Sequence, residues 1–227
     1  MARRHPISGI CFLVFLLASC RPPSLSLSPV PSKISTIEGH ASLKIITDLE
    51  STRSKFAFFF QRPHRGKIEV TGALGKVLYR ILIDEGSAFF IVPSKKAYWK
   101  GEEEEILEKF LGFRLNLEEI ISLMSGKWDD GPNWVKETGV WSLKRDRKGR
   151  IVAGQRGELW FEITEFIEDT PFASRLVFGH TVSSGQMKVL SIGLNRPPRE
   201  NIFSRRFLEK YAQKSWAEIQ EIFDHAR

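Results

Sequence analysis

The residue with the clearest chemistry in this sequence is Cys20, which closes the run Leu17-Ala18-Ser19-Cys20. Small residues directly before a cysteine, after a short apolar segment (Ile10 to Leu17), are typical of a lipobox, in which the thiol is acylated and the cysteine becomes the mature N-terminus. Two arginines precede the apolar segment, which is too short to span a bilayer. The sequence therefore predicts a lipoprotein signal peptide at residues 1–19 and lipid attachment at Cys20. The alternative is ordinary secretion with a stray cysteine.

Catalytic and metal-binding patterns are not recognisable in the rest of the chain. Cys11 leaves with the signal peptide, so the mature chain retains one cysteine and has no intrachain disulfide, cysteine-based zinc site or further thiol nucleophile. The histidines have no metal-ligand spacing, and no phosphate loop or dinucleotide motif is present. The glutamates at 102–105 suit a helix N-terminus better than a calcium site. We therefore predict a protein that is not an enzyme and has no metal or cofactor, although a spatial triad would leave no sequence trace.

The charge of the chain favours a membrane surface over nucleic acid. The formal net charge is +7, and loss of Arg3 and Arg4 with the signal peptide lowers it to +5. The basic residues are scattered and form no tract of the nucleic-acid-binding type, so anionic lipid headgroups are the more plausible partner. Residues 20–38, rich in Pro and Ser, are expected to be the acylated cysteine and a flexible tether. Arg21 stands where an Asp would favour inner-membrane retention, so we expect a lipid-anchored protein of the outer membrane that faces the periplasm.

From Ala41 onward, short alternating segments predict antiparallel strands with short connections. The candidate strands are 41–50, 55–61, two strands within 66–84, 87–92, 96–99, 139–144, 150–155, 158–164, 175–181 and 186–194. Helical spacing appears at 102–111, 116–126 and 204–223. The prediction is a mainly β (α+β) fold: an open, strongly curved antiparallel half-barrel of about ten or eleven strands, with a lid of short helices. The domain would span 39–196, and 197–227 would form a C-terminal helical extension.

The hairpin between the third and fourth strands turns at Gly72-Ala73-Leu74-Gly75. The glycines suit a tight turn, which requires a positive φ at one position or more. Leu74 is unusual there because turn tips are generally polar. Its side chain either folds back onto the sheet or points outward to an apolar partner, and the sequence leaves both alternatives open.

Aromatic and aliphatic residues recur on most strands and on both lid helices. They either pack a filled core or line a concave surface that binds an apolar ligand, and the sequence does not separate the two. If the interior is hollow, the residues expected to line an acyl-chain cavity are Phe56, Phe58, Phe60, Tyr79, Ile81, Phe89, Ile91, Trp99, Ile106, Phe110, Ile120, Met124, Trp141 and Trp160.

The order of these features resembles the LolA/LolB lipoprotein-localisation family: lipobox, tether, antiparallel strands, a Gly-Ala-Leu-Gly turn, two short helices and further strands. Ala73-Leu74-Gly75 stands where the family has Pro-Leu-Gly, and Leu111 to Leu117 resembles the segment between its lid helices. The chain departs from the family where Ala73 and Asn116 replace prolines. The helix after Pro198 has no counterpart that we can place.

The resemblance implies an open β-barrel with a helical lid and a receptor activity for lipoproteins. A monomer of this kind would accept acylated lipoprotein clients from a periplasmic LolA-like carrier and insert them into the outer membrane. Leu74 would then act in membrane insertion. The alternative is a tethered structural or assembly lipoprotein of the same fold, which would use Leu208, Ile219 and Ile222 of its C-terminal helix as a docking face.

Overall fold

The computed structural model describes residues 25–27, 29–47, 51–72, 74–128, 141–181 and 183–224. The predicted signal peptide, Cys20 and the first residues of the tether lie outside the described residues. The strands are β1 (Thr36–Thr47), β2 (Ser51–Gln61), β3 (Arg65–Thr71), β4 (Val77–Asp84), β5 (Ser87–Val92), β6 (Ala97–Glu102), β7 (Ser142–Arg145), β8 (Ile151–Arg156), β9 (Leu159–Phe166), β10 (Ala173–His180), β11 (Ser183–Leu194) and β12 (Ala212–Gln213). The helices are α1 (Glu103–Leu111), α2 (Leu117–Ser125) and α3 (Trp216–Asp224).

The strands form one open sheet in the order β12-β6-β5-β4-β3-β2-β1-β11-β10-β9-β8-β7. Neighbours are antiparallel except β12, which runs parallel to β6. The long β1 joins the two halves of the sheet because it pairs with β2 on one side and β11 on the other. The predicted mainly β fold with an open, curved sheet is confirmed, with β12 added to the expected strands.

Strict alternation along the strands separates an inner face from an outer face. On β2, Phe56, Phe58 and Phe60 point to the inner face, and Phe59 points to the outer face. The register extends the inner face across the sheet, since Phe58 is opposite Ile68 on β3 and Ile68 is opposite Ile81 on β4. Both faces of this half are therefore apolar, unlike a typical antiparallel sheet with one wet face.

Helices α1 and α2 pack their apolar stripes into the inner-face core. Leu107 of α1 and Leu117 of α2 are fully buried. Gly112 ends α1 with φ 86°, which favours glycine. Asn116 starts α2 with a capping box: its side chain accepts a hydrogen bond from the Glu119 N–H, and the Glu119 carboxylate accepts one from the Asn116 N–H.

The predicted C-terminal helix at 204–223 is interrupted, because part of the segment completes the sheet. Arg206–Lys210 forms a 3₁₀ turn, and β12 then pairs with β6. Ala212 N–H donates to the Lys96 carbonyl at 2.8 Å, and Lys214 N–H donates to the Tyr98 carbonyl at 2.8 Å. These bonds satisfy the edge of β6, so the extended conformation prevails over helical propensity here.

The C-terminal segment covers both faces of the sheet. Before β12, Phe203 and Leu208 pack on the outer face. After β12, Trp216 of α3 packs on the inner side, with ring centroids 5.5 Å from Phe90 and 5.0 Å from Trp99. Ile219 is fully buried, and Ile222 packs against the same core. Leu208, Ile219 and Ile222 therefore pack within this chain and do not form a free docking face.

The N-terminal edge of the folded region also lies earlier than residue 39. Ile34 is buried, and Thr36 opens β1. The Asn195 side chain accepts a hydrogen bond from the Ser35 N–H and donates one to the Lys33 carbonyl, each at 2.8 Å. No helix within the described ranges is both long and apolar enough to cross a membrane.

Candidate functional site

An apolar cavity lies between the inner face of the sheet and the lid helices. Its volume is about 60 Å³, well below the roughly 300 Å³ at which small-molecule sites begin. The described conformation is therefore closed, and a ligand with a hydrocarbon chain has to displace the lid. The lining residues are all apolar: Phe56, Phe60, Ile68, Phe110, Leu111, Phe113, Leu115, Ile120, Leu123, Met124, Trp141, Leu159, Trp160, Phe161, Leu176, Phe178 and Met187.

The structure brings many of the sequence-predicted cavity residues to this place. Those that line the cavity from the sheet, the lid and the segment before β7 are Phe56, Phe60, Phe110, Ile120, Met124 and Trp141. Five others belong to the same inner core without reaching the cavity: Phe58, Tyr79, Ile81, Trp99 and Ile106. Phe58 lies between Phe56 and Phe60, with ring centroids 6.0 Å and 5.3 Å away. These inner-core residues support the lining residues.

Two predicted cavity residues, Phe89 and Ile91, are corrected by the structure, and a third, Trp160, lies only at the edge of the cavity. Phe89 and Ile91 point to the outer face, where they pack with Phe203 and Leu208. Trp160 reaches the edge of the cavity, but it is 40% exposed and alternates with buried residues on β9. Its indole would contact a Cβ added at Gly179 at 2.8 Å, which places the ring beside Gly179 on the outer side of β9. Phe89 and Ile91 therefore do not line the cavity, whereas Trp160 contributes to its edge.

Sequence reasoning missed the contribution of β9, β10 and the connection between the lid helices. The missed lining residues are Ile68, Leu111, Phe113, Leu115, Leu123, Leu159, Phe161, Leu176, Phe178 and Met187. Alternation on β9 was the available signal, since the buried Leu159, Phe161 and Ile163 alternate with the exposed Glu162 and Thr164.

A buried carboxylate fastens the lid to the sheet. Glu119 of α2 is fully buried and accepts a hydrogen bond from Trp141 Nε1 at 2.8 Å. The Arg156 guanidinium at the end of β8 pairs with the same carboxylate. Arg156 Nη2 also donates to the Arg114 carbonyl at 2.8 Å, in the connection between α1 and α2. We call this set of contacts the latch, because it ties the lid to the β8 end of the sheet.

A weaker set of contacts holds the start of α2 to the end of β2. Arg62 Nε lies 3.4 Å from Glu118 Oε2. Three buried atoms nearby, Gln61 Oε1, Arg62 Nε and Glu118 Oε1, have no hydrogen-bond partner in the described part of the chain. Burial raises the pKa of Glu118, with Arg62 opposing. Incomplete pairing of buried polar groups is costly, so this contact adds little to closure of the lid.

A polar vestibule of about 800 Å³ adjoins the cavity. It shares Phe113 and Leu159 with the cavity, and the latch residues Glu119 and Arg156 stand in its wall. Its remaining lining residues are Glu104, Glu108, Gly112, Arg114, Gly157, Glu158 and His180. An apolar cavity next to a polar vestibule suits an amphiphile whose hydrocarbon chain enters under the lid. No cluster of three or more His, Cys, Asp or Glu that could hold a metal occurs among the described residues.

The hairpin turn between β3 and β4 projects Leu74 into solvent. Leu74 is 87% exposed. The turn is closed by Gly75 N–H donating to the Gly72 carbonyl at 3.0 Å and by Gly72 N–H donating to the Lys76 carbonyl at 2.9 Å. Gly75 has φ 73°. Of the two orientations that the sequence left open, the outward one is observed; residue 73 itself lies outside the described residues.

Comparison with solved structures identifies the fold. A proposed outer-membrane lipoprotein-sorting protein domain from Vibrio parahaemolyticus matches with a TM-score of 0.57 and 10% identity, over 78% of this chain and 93% of that one. The chain has a LolA/LolB-like fold. A DUF1329 family protein from Desulfovibrio piger matches with a TM-score of 0.52 and 10% identity, over 78% of this chain and 92% of that one. No protein-family model matches the chain, and no curated protein does.

Proposed function

We propose that the protein accepts acylated lipoproteins from a periplasmic LolA-like carrier and inserts them into the outer membrane. The observation that carries the proposal is the wholly apolar cavity beneath an amphipathic lid. The LolA/LolB-like fold supports a role in binding lipoproteins in general terms. Insertion, the carrier and the outer-membrane location belong to the proposal.

The lid must open before an acyl chain can bind, and the energetics permit this. Each buried CH₂ contributes ~0.8 kcal/mol, so about ten methylenes contribute roughly 8 kcal/mol. Exposing a leucine-sized side chain costs roughly 1.5–3 kcal/mol. An acyl chain of that length therefore offsets the exposure of three or four lid residues such as Leu111, Leu115 and Leu123. Release into a bilayer needs no nucleotide, because the chain stays in hydrocarbon.

The exposed Leu74 supports the insertion step. Burying one leucine is worth roughly 1.5–3 kcal/mol, too little to anchor a protein. Lipid attached at Cys20 would provide the anchor, and Leu74 would disturb the bilayer locally at the place where the client enters. The vestibule would hold the polar part of the client near the latch during transfer.

A disulfide across the lid tests the proposal. A Cβ added at Gly112 would lie 3.7 Å from Ser183 Oγ, so Gly112→Cys with Ser183→Cys can join the end of α1 to the start of β11. Cys11→Ser and Cys20→Ser in the full chain leave this as the sole pair of thiols. We expect the reduced protein to take up a fluorescent fatty acid and the oxidised protein to take up at least about tenfold less, since each requires the same cavity but only one can open.

Gly112→Cys alone is the control for strain at a positive φ. Equal uptake by the oxidised and reduced forms would show that acyl chains bind without lid movement. Absence of uptake in the reduced form and in the parent chain would remove acyl-chain binding, and with it the proposed transfer.

A further inference from the structure

The turns that flank Leu74 lie along one end of the sheet. Antiparallel order places the β1–β2, β3–β4, β5–β6, β8–β9 and β10–β11 connections at this end. The pairing of Ile46 with Ser51 and Ser184 shows that the two halves meet there in register. We call the described residues of these connections, together with the residues of β1–β6 that lie level with the end of β3 at Thr71 or beyond it, the Leu74 rim.

Basic side chains are concentrated on the Leu74 rim. They share two properties: none pairs with an acidic group in the described part of the chain, and all but the partly buried Lys44 are exposed. They are Lys44, Arg53, Lys55, Lys76, Lys95 and Lys96. Lys44 on β1 is directly opposite Arg53 on β2. These cations therefore lie on both sides of the Leu74 turn along the rim.

Acidic groups are differently distributed. Glu158 is the acidic residue described at the β8–β9 connection; Asp48 and Glu50 belong to the β1–β2 connection, outside the described residues. Further from the rim, Glu69 is neutralised by Lys67 at 3.3 Å and Arg80 at 2.5 Å. At the opposite end of the β1–β6 half, Glu85, Glu102 and Glu105 are exposed. The exposed charges without a salt-bridge partner in the described part of this half are thus basic at the Leu74 end and acidic at the other.

Exposed apolar side chains lie among these cations. Leu74 is 87% exposed, Leu78 46% and Ile46 42%. Ile46 on β1 and Leu78 on β4 are separated by two strands, so the three side chains are spread along the rim and do not gather in one pocket. Scattered apolar tips among unpaired cations match a membrane interface, where cations meet headgroups and apolar tips enter the acyl boundary.

We infer that the Leu74 rim binds anionic lipid headgroups and thereby orients the barrel with Leu74 against the bilayer. This inference deepens the proposed function by naming the lipid that the insertion site recognises. Anionic lipid fits better than an acidic protein, because a protein partner would be expected to meet a central apolar pocket with polar surroundings. Each basic residue near an anionic surface contributes about fivefold to partitioning.

The test places a dye on the rim and removes charge from it. Ser94 is exposed in the β5–β6 connection, so Ser94→Cys with an environment-sensitive dye, in the full chain carrying Cys11→Ser and Cys20→Ser, reports bilayer contact at the rim. Vesicles of phosphatidylcholine, with or without phosphatidylglycerol, serve as the probe membrane. The test variant combines Lys55→Gln, Lys76→Gln and Lys95→Gln.

We expect the dye to shift to the blue in phosphatidylglycerol vesicles, and the triple variant to need about 100-fold more lipid for the same shift. The matched control removes the same charge from the β7–β8 hairpin at the other end of the sheet, by Lys144→Gln, Arg147→Gln and Lys148→Gln, and should behave as the parent. A dye at Glu168→Cys, in the β9–β10 connection, should stay in water throughout. Residues 1–24 are the same in every chain, so their contribution cancels.

Equal lipid dependence for both triple variants would overturn the inference, as would an equal shift without phosphatidylglycerol. Loss of binding to an acidic carrier protein, with vesicle binding unchanged, would assign the cations to a protein partner and overturn it too. The fatty-acid uptake test is separate. A chain that binds anionic vesicles through the rim but takes up no fatty acid would retain this inference and lose the proposed function.

Discussion

The two faces of the β1–β6 half are built from the same residue types, yet they have different fates. On the outer face, Phe59, Leu82, Phe89 and Ile91 are sealed by the chain's own C-terminal segment. On the inner face, the equivalent aromatics meet a lid that leaves a small apolar space and is held by a polar latch. A sealed face contributes stability, and we propose that a face under a latched lid can exchange its cover for a ligand. The two apolar faces therefore differ in how they are covered and not in the types of residue that form them.

The largest expected effect separates the faces by truncation. Phe89→Ala on the outer face should lower the free energy of unfolding by about 3–5 kcal/mol, because a buried aromatic leaves a cavity between sheet and cover. Phe110 on α1 is half-buried, so Phe110→Ala should lower the free energy of unfolding by only about 1–2 kcal/mol. It should also raise fatty-acid uptake, because it enlarges an existing cavity. Urea unfolding measures both. Equal losses with no change in uptake would contradict the distinction between the two faces.

The next effect concerns the latch. Arg156→Gln leaves the buried Glu119 carboxylate without its cation, so we expect a loss of about 2–4 kcal/mol in stability and faster fatty-acid uptake as the lid loosens. The control is Arg175→Gln. Arg175 pairs with Glu165 at 2.9 Å, but that carboxylate is 49% exposed, and the expected loss is at most about 1 kcal/mol. If Arg156→Gln loses stability without faster uptake, the latch is structural and does not govern opening.

A smaller effect on stability is expected when the pH is lowered. Glu103 accepts a hydrogen bond from the Leu117 N–H at 2.5 Å and so joins the two lid helices. Burial raises the pKa of Glu103, with the Leu117 N–H and His64 opposing. The folded state therefore binds the Glu103 proton more tightly than the unfolded state. Burying the charged carboxylate lowers the stability of the fold at neutral pH, and this loss of stability disappears as the pH falls from the pKa of the folded state to that of the unfolded state.

Glu103→Gln should therefore raise the free energy of unfolding by up to about 1 kcal/mol at neutral pH. The increase should become smaller toward pH 4.5, the ordinary pKa of a Glu side chain. Urea midpoints across this range measure the change. Glu105→Gln, on the exposed side of the same helix turn, is the control and should not alter the pH profile. A constant gain at all pH values would exclude titration of Glu103 as the cause.

The smallest effect on stability is expected at Leu74. Leu74→Glu should change the free energy of unfolding by less than about 0.5 kcal/mol, because the side chain makes little contact with the domain. It should bind an acylated client normally and fail to deliver it to outer-membrane vesicles. Leu190→Glu, at a 42% exposed position on β11, serves as the control and should deliver. Normal delivery by Leu74→Glu would remove Leu74 from the mechanism.

Sequence patterns predicted the fold well where one face of an element is distinctive. Phe56, Phe58 and Phe60 alternate clearly, and the Asn116–Glu119 capping box marks the start of α2. In β5 the pattern gave no guide, because both faces of Ser-Ala-Phe-Phe-Ile-Val are buried and Phe89 could not be told from Phe90. The cause lies more than a hundred residues away, in the segment that carries Phe203 and Leu208. Local periodicity cannot report a cover supplied from the other end of the chain.

The two-residue pairing of β12 with β6 has a consequence for behaviour in a crowded compartment. An uncovered edge strand offers unpaired N–H and C=O groups to any extended chain nearby. Ala212 and Gln213 pair with Ala97 and Tyr98, so the chain's own backbone occupies this part of the edge of β6. Another extended chain therefore finds these positions of β6 already paired, which limits strand addition at this edge of the sheet.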